Sequence, residues 1–355
     1  MQIVKVYFEL TFLCNLKCKF CYAGDMQNPL YQSKHILSSW SFEQTKKDLD
    51  IIFCDGKNVV YDVDILWGES LLNRFFFDAI SYISKNYSIR RFTLTTNATL
   101  INQNIIQKLK NSPINEVRVS LHGLEATHNM LVGKEVFQKV VHNLDIFKDS
   151  NIRYTLIYVY NNVNRNQIVD LLIFLEDRKI LPESIFIEFV EFSGFALDHI
   201  SELNLIYDKN LRDEFDTVLR TLKKILPINI SLSNFPKCML SSDFHHYIDD
   251  WYSESHRYEL YYPRLARKSL FGFSYQQQRD IIKSNFERGY KINFQKLLDR
   301  DYIPGICDTC KYKKNCYLLT KESILYDYLG YDFLKRKSYF EINPKNILWS
   351  ICQID

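Results

Sequence analysis

Short runs rich in β-branched and aromatic residues recur at about 3–10, 59–66, 90–95, 115–121, 152–159 and 184–190. Each has the length and apolar density of a strand buried in a parallel sheet. Between them, at about 42–53, 70–86, 102–111, 134–148 and 165–177, apolar residues return every third or fourth position, as in Phe137, Val140, Val141, Leu144 and Phe147. That period is the stripe of an amphipathic helix. Strand and helix alternating with right-handed crossovers build a parallel sheet that stays open or curls into a partial barrel. Ligands of such sheets sit at the C-terminal edge of the strands, so the residues just after each run are where chemistry is expected. After about residue 200 the regularity fades into a helix near 209–226, a Ser/Asn/Pro-containing stretch at 231–242 and a Tyr/Arg/Lys-rich region to about 300. This supports a first domain over 1–200 and a smaller, irregular one over 201–355.

Composition narrows the function. At 355 residues the chain can bury a large core, and 46% hydrophobic with 25% charged residues is ordinary for a globular protein. Lys and Arg number 45 against 42 Asp and Glu, an excess of +3 that argues against a nucleic-acid partner. The aromatic fraction of 15% runs along the whole chain, as a compositional bias would, not as a stacking platform. Lys5 and Glu9 interrupt the apolar N-terminal run, which excludes a signal peptide. No uncharged apolar run approaches the roughly 18 residues that span a bilayer, so no membrane partner is expected and the cytoplasm is the expected compartment. There, nine cysteines bunched as Cys14/Cys18/Cys21 and Cys307/Cys310/Cys316 read as metal ligands, not disulfides.

The first group lies in Leu10-Thr-Phe-Leu-Cys-Asn-Leu-Lys-Cys-Lys-Phe-Cys-Tyr, where the chain leaves its first strand. A loop with this spacing can hold three irons of a four-iron cubane and leave the last one open to a small chelating molecule. The competing reading is a zinc knuckle, but structural zinc takes four closed ligands and this loop supplies three.

With Phe20 before the last cysteine and Tyr22 after it, the loop resembles the C-x-x-x-C-x-x-C hallmark of the radical S-adenosylmethionine (SAM) superfamily. Three further segments resemble that family in the same order. Leu66-Trp-Gly-Glu-Ser-Leu-Leu is similar to its Gly-Gly-Glu-Pro-Leu-Leu, with Trp67 for a Gly and Ser70 for Pro. Leu94-Thr-Thr-Asn-Ala-Thr is similar to its Thr-Asn-Gly-Thr, and Val119-Ser-Leu-His-Gly to its Ser-Leu-Asp-Gly-Pro, with His122 in place of Asp. The resemblance covers about residues 3–200 and implies a partial (β/α)6 TIM-type barrel. It implies a [4Fe–4S] cluster on Cys14, Cys18 and Cys21, with SAM held by Tyr22, Gly68, Glu69, Thr96, Asn97 and Ser120. Glu69 would take the SAM amino group, a charge-assisted pairing. Arg153 is expected to reach the SAM carboxylate or to take a surface or capping role, and Asn164 matches an Asn found beyond the fifth strand.

Cys307-Asp-Thr-Cys-Lys-Tyr-Lys-Lys-Asn-Cys, with Cys352 further on, resembles the SPASM extension of peptide-modifying members. The place of the cysteine that would join a second auxiliary cluster is Thr320. One auxiliary [4Fe–4S] cluster on Cys307, Cys310, Cys316 and Cys352 is therefore expected, with a zinc site as the alternative. Cys238 stays open between ligand, buried residue and hydrogen-atom donor, while Cys54 on a helix face is expected in the core.

The resemblance implies reductive cleavage of SAM to a 5′-deoxyadenosyl radical that takes hydrogen from a substrate carbon. Glu188 and Glu191 are candidates for a later proton transfer by location alone. The expected substrate is a ribosomally made peptide, matured by cross-linking, epimerisation or oxidation. The expected partner is a low-potential donor such as flavodoxin or ferredoxin, and because the cluster loop begins at residue 14, a leader is expected to be read by the C-terminal region or by a separate leader-binding protein. The alternatives are a radical SAM dehydrogenase or mutase of a small metabolite, and a non-enzymatic zinc or iron–sulfur adaptor.

Overall fold

The computed structural model describes residues 2–248, apart from 12, 23, 25–41, 54–58, 67, 149, 151, 191–193, 204, 206–208, 234 and 236–239, and also 259–262. The elements in order are β1 (Gln2–Glu9), α1 (Phe42–Ile52), β2 (Val59–Leu66), α2 (Phe76–Asn86), β3 (Ile89–Thr96), α3 (Gln103–Lys110), β4 (Glu116–Ser120), α4 (Glu125–Val132) and α5 (Phe137–Lys148). There follow β5 (Tyr154–Tyr160), α6 (Ile168–Asp177), β6 (Ser184–Phe189), α7 (Ile200–Leu203), α8 (Lys209–Ile225), β7 (Asn229–Ser233) and β8 (Glu259–Tyr262).

All strands are parallel in one eight-stranded sheet of order β7-β6-β5-β4-β3-β2-β1-β8, which agrees with the half-barrel expected from the alternation. From β1 to β7 each strand lies beside its predecessor. Same-handed crossovers between sequential neighbours put every connecting helix on one face. That face is apolar: Val63, Ile65, Phe92, Leu94, Val117, Val119, Leu156, Ile185 and Ile187 form one buried core with Ile80, Ile83, Ile106, Leu109, Val140, Leu144, Leu171 and Leu172 of the helices. Full burial of a side chain of this size contributes about 1.5–3 kcal/mol, so this layer dominates the stability.

The opposite face departs from the expectation of strands apolar on both sides. Residues paired across parallel strands share a face, and the row Asp64, Thr93, Glu116 and the row Thr95, Arg118, Thr155, Ser184 are polar throughout. The segments Asp62-Val-Asp-Ile and Glu116-Val-Arg-Val therefore alternate, as strands with one helix-covered face do.

Three local differences have physical causes. The helix expected at 70–86 is broken into a 3-10 turn at Ser70–Leu72 and α2. Asn73 makes the break, accepting from Phe75 N at 2.8 Å and donating to the Leu10 carbonyl at 2.9 Å. The helix expected from 134 starts at Phe137, and α4 precedes it without having been expected. The sheet also runs past residue 200, through α8 and β7, and takes β8 against the far side of β1. The cysteine-bearing part of the region 201–355 lies outside the described residues. Among the described residues no helix is long and apolar enough to cross a membrane.

Candidate functional site

The loop after β1 is tied down from several directions. Lys17 N and Lys19 N donate to the carbonyls of Val132 and Leu131, at 3.1 and 2.8 Å, so the C-terminal end of α4 supports the loop. Gly133 closes α4 with a left-handed φ of 70°, and a Cβ there would stand 3.0 Å from the Lys17 carbonyl. Only glycine meets both demands without strain. Cys21 O accepts from Gly24 N at 3.0 Å and from Phe195 N at 2.9 Å. Leu13 O accepts from Glu69 N at 2.7 Å, which joins the loop to the end of β2.

Cys14, Cys18 and Cys21 are partly buried and are not joined in disulfides. Burial pushes the Cys14 thiol up, with the Glu69 carboxylate adding to it. Burial pushes Cys18 well up, and the charges of Cys21 and Cys14 push it further. Such thiols are poor thiolates until a metal stabilises the negative form. Among the described residues no three His, Cys, Asp or Glu side chains close around a point that a single ion could occupy. The loop supplies three thiols, with Cys18 feeling the charges of the other two, which is one ligand short of a closed zinc site and matches three corners of a cubane.

Glu69 is 1% exposed, and its carboxylate accepts from Thr96 Oγ1 at 2.8 Å, Asn97 N at 2.8 Å and Leu71 N at 3.3 Å. Burial raises its pKa to about 7 against the opposing effect of those three donors. Gly68 stands at φ 57°, so the glycine of the Gly-Glu pair is a conformational requirement. Asn97 donates from Nδ2 to Asn15 Oδ1 at 2.9 Å and to Cys14 Sγ at 3.8 Å, and Asn15 donates to Thr99 Oγ1 at 2.7 Å. The ends of β2 and β3 and the cysteine loop are thus one hydrogen-bonded unit. Ala98 takes the left-handed φ of 57° where the family has glycine.

The structure brings Cys14, Cys18, Cys21, Gly68, Glu69, Thr96 and Asn97 to the C-terminal edge of the sheet, with Ser120 ending β4 at the same edge. Tyr22 is 36% exposed beside the loop. Glu188 is partly buried in β6, in register with Val159 and Ser233. Arg153 does not join the group. It precedes β5, at the opposite edge of the sheet, with its side chain 79% exposed and paired to Glu183 at 2.7 Å. Replacing Arg153→Ala is expected to change SAM affinity less than twofold by equilibrium dialysis, since exposed pairs contribute about 0–1 kcal/mol. Glu191, Cys54, Cys238, Thr320, Cys307, Cys310, Cys316 and Cys352 lie outside the described residues.

Sequence reasoning met His122 only as a replacement for the family's Asp and gave it no role, whereas the structure makes it half of a buried histidine pair behind the loop. The His122 ring meets Phe20 edge-on, with 4.5 Å between ring centroids. His122 Nδ1 accepts from Val159 N at 3.1 Å, and His122 N donates to His128 Nδ1 at 3.2 Å. Asn164, fully buried, donates from Nδ2 to the carbonyls of His122 and Val159 at 3.0 and 2.8 Å. Two histidines six apart after a strand were the available signal. Burial lowers both pKa values, that of His122 well below its ordinary value with the nearby His128 charge adding to it, and that of His128 to about 4.

Both rings are neutral in the folded state, while the unfolded chain binds protons near pH 6.5. Stability from these groups is therefore complete above about pH 7 and is lost as pH falls below 6.5, towards 4 for His128. Glu69 works the other way, its raised value adding stability between about 7 and 4.5. The test is the difference between the parent and His128→Gln in urea unfolding. From pH 7.5 to 5.5 the variant is expected to lose about 1.4 kcal/mol less stability than the parent. Equal losses would show that His128 is not buried neutral.

The sequence model described as the Radical SAM superfamily matches residues 8–175. Fe-coproporphyrin III synthase of Methanosarcina barkeri is 27% identical over 243 residues, 68% of this chain and 55% of that protein. The antilisterial bacteriocin subtilosin biosynthesis protein AlbA of Bacillus subtilis is 33% identical over 103 residues, 29% of this chain and 20% of that protein. The chain thus spans about half the length of the first relative, and less of the second. Streptococcus suis SuiB bound to S-adenosylmethionine superposes with a TM-score of 0.56 at 18% identity, covering 89% of this chain and 72% of that one, a likeness of fold. The half-barrel, the three-thiol loop at its C-terminal edge and the matching sequence model together assign the segment 8–175 of this chain to the radical SAM superfamily.

Proposed function

We propose that the protein is a radical SAM enzyme that acts on a ribosomally made peptide. The observation that carries the enzyme reading is the single hydrogen-bonded unit in which Glu69 and Asn97 meet the Cys14–Cys21 loop. In this reading Cys14, Cys18 and Cys21 hold a [4Fe–4S] cluster, and Glu69 takes the SAM amino group. Thr96, Asn97, Ser120, Gly68 and Tyr22 line the rest of the SAM site. When bound, cluster and SAM supply an electron and an organic radical able to take hydrogen from an unactivated carbon. The chain's own share is position and exclusion of water. The Lys17 and Lys19 backbone bonds to α4 fix the loop, and the buried Glu69 presents an acceptor that water does not reach.

The peptide reading is supported by the relative named for bacteriocin biosynthesis and by the terminal cysteines, on which we place one auxiliary cluster. A low-potential flavodoxin or ferredoxin would deliver the electron, and a leader would be read by the C-terminal region or by a separate protein. Glu188, Glu191 and Cys238 remain the candidates for later proton or hydrogen-atom transfer. The second reading, a dehydrogenase or mutase of a small metabolite, draws on the longer match to Fe-coproporphyrin III synthase.

The test is anaerobic incubation of reconstituted protein with SAM, dithionite and short peptides encoded beside the gene. Deoxyadenosine together with a mass change in a peptide is the expected result. Deoxyadenosine without any peptide change favours the metabolite reading. Stoichiometric zinc with no SAM turnover would return the protein to a structural adaptor.

A further inference from the structure

Beside Cys14, the side-chain amides of Asn15 and Asn97 and the hydroxyl of Thr99 close a ring of hydrogen bonds. Thr99 Oγ1 donates to Asn97 Oδ1 at 2.6 Å, Asn97 Nδ2 donates to Asn15 Oδ1 at 2.9 Å, and Asn15 Nδ2 donates back to Thr99 Oγ1 at 2.7 Å. Each member gives one hydrogen to the ring and takes one, so the bonds run the same way round and polarise one another. The ring joins the loop after β1 to the turn after β3, across 82 and 84 positions of sequence.

The direction of the ring is forced by one backbone group. An N–H can only donate, and Thr99 N meets Asn97 Oδ1 at 3.0 Å. That contact is an Asx turn, and it fixes which end of the Asn97 amide is oxygen. The amide nitrogen is left on the other side with two hydrogens. One goes to Asn15 Oδ1, and the other is directed at Cys14 Sγ, 3.8 Å away. With its oxygen turned to Asn97, Asn15 has its nitrogen facing Thr99. From the other direction, the Asn97 backbone N–H is held by the Glu69 carboxylate at 2.8 Å.

We propose that this ring sets the reduction potential of the cluster: Asn97 donates its second amide hydrogen to the Cys14 thiolate, and Asn15 and Thr99 are positioning residues that hold the amide in that orientation. It rests on the reading that Cys14 holds a corner of the cluster. Reduction by one electron makes the cluster and its thiolates more negative, and an N–H dipole aimed at a thiolate sulfur stabilises the more negative form. The bond therefore raises the potential and eases reduction by a low-potential donor. Burial strengthens the effect, since Leu16, Ala98 and Thr99 around it are at most 3% exposed. A ring that only braced the loop would leave the potential where it is.

The experiment uses the full chain with its cluster reconstituted and no SAM present, so that SAM affinity does not enter. Midpoint potentials are read by redox titration of the electron paramagnetic resonance signal that Cys18→Ala lacks, with iron content measured on the same samples. Asn97→Ala keeps the backbone donor to Glu69 and removes the donor to Cys14. It is expected to hold about three- to tenfold less reduced cluster at a given potential, a midpoint lower by roughly 30–60 mV at about 59 mV per tenfold for one electron. Thr99→Val keeps the backbone N–H but opens the ring, and is expected to show at least half of that shift. Thr99→Ser keeps the hydroxyl and is expected to stay within about twofold of the parent. A shift below about twofold in Asn97→Ala with full iron overturns the proposal, and so does a shift in Asn97→Ala that Thr99→Val does not share. Where the variants lose iron, the unaltered chain decides. Grown with asparagine carrying nitrogen-15 in its side-chain amide, it is expected to show a nitrogen-15 coupling on the same signal, and the absence of that coupling overturns the proposal. Failure to form a cubane at all removes the cluster reading and this inference with it, whereas a normal cubane with unmoved potentials removes this inference alone.

Discussion

Cys18→Ala protein, reconstituted anaerobically with iron and sulfide, is expected to lose the broad charge-transfer absorption of a cubane and to form no deoxyadenosine above background. Three thiolates are the least that can hold three corners of the cluster, and no fourth cysteine stands near this loop in the sequence. The remaining pair, Cys14 and Cys21, would have to hold the cluster with an extra corner open to water. The loss is expected to be all or none in iron content as well as in activity. A fold defect would give the same activity result, so unfolding of the metal-free protein is the control. Cys18 packs at the edge of a small apolar cluster with Leu16, Val132 and Val136. Removing its sulfur should cost the apo fold about 1 kcal/mol, within the usual range for a single substitution. Near-normal deoxyadenosine yield from Cys18→Ala would refute the assignment of the loop.

Glu69→Gln carries the second large effect, a weakening of SAM binding by roughly 10- to 150-fold, from the loss of a charge-assisted hydrogen bond of about 1.5–3 kcal/mol. The change is isosteric, yet the amide can present only one acceptor oxygen to donors that now reach two. Thr96 Oγ1 bonds one carboxylate oxygen and Asn97 N the other. An amide nitrogen set against Asn97 N or Thr96 Oγ1 leaves a buried donor unpaired, so the end of β3 and its contact with Cys14 should loosen too. Equilibrium dialysis of the cluster-loaded variant against labelled SAM reads the affinity, and iron content reads the loop. Unchanged affinity with intact iron would remove Glu69 from the SAM site.

Much of this was legible along the chain because it is local. Helical and strand periods depend on residues within a few positions of one another, and the order of strands β1 to β6 follows from them. The cysteine spacing is local as well, and so is the Gly68-Glu69 pair; the conformational reason for its glycine, a φ of 57°, came only with the structure. Arg153 illustrates the limit of that reading. Whether the fifth strand is taken from 152 or from Tyr154, Arg153 stands at its start, the edge away from the cysteine loop, so of its expected places the structure takes the surface one.

The amino-acid sequence alone determined the alternating fold, the three-thiol loop and the Glu69 and Asn97 positions that follow the second and third strands. Tertiary structure decided which of these touch: α4 and Gly133 as the support of the loop, the His122–His128 pair behind Phe20, β8 against β1, and the charged row from Asp64 to Ser184 across the face opposite the connecting helices. Those features join residues tens to hundreds of positions apart. Strand register and crossover hand bring them together, and neither is written in the short-range pattern of any one segment.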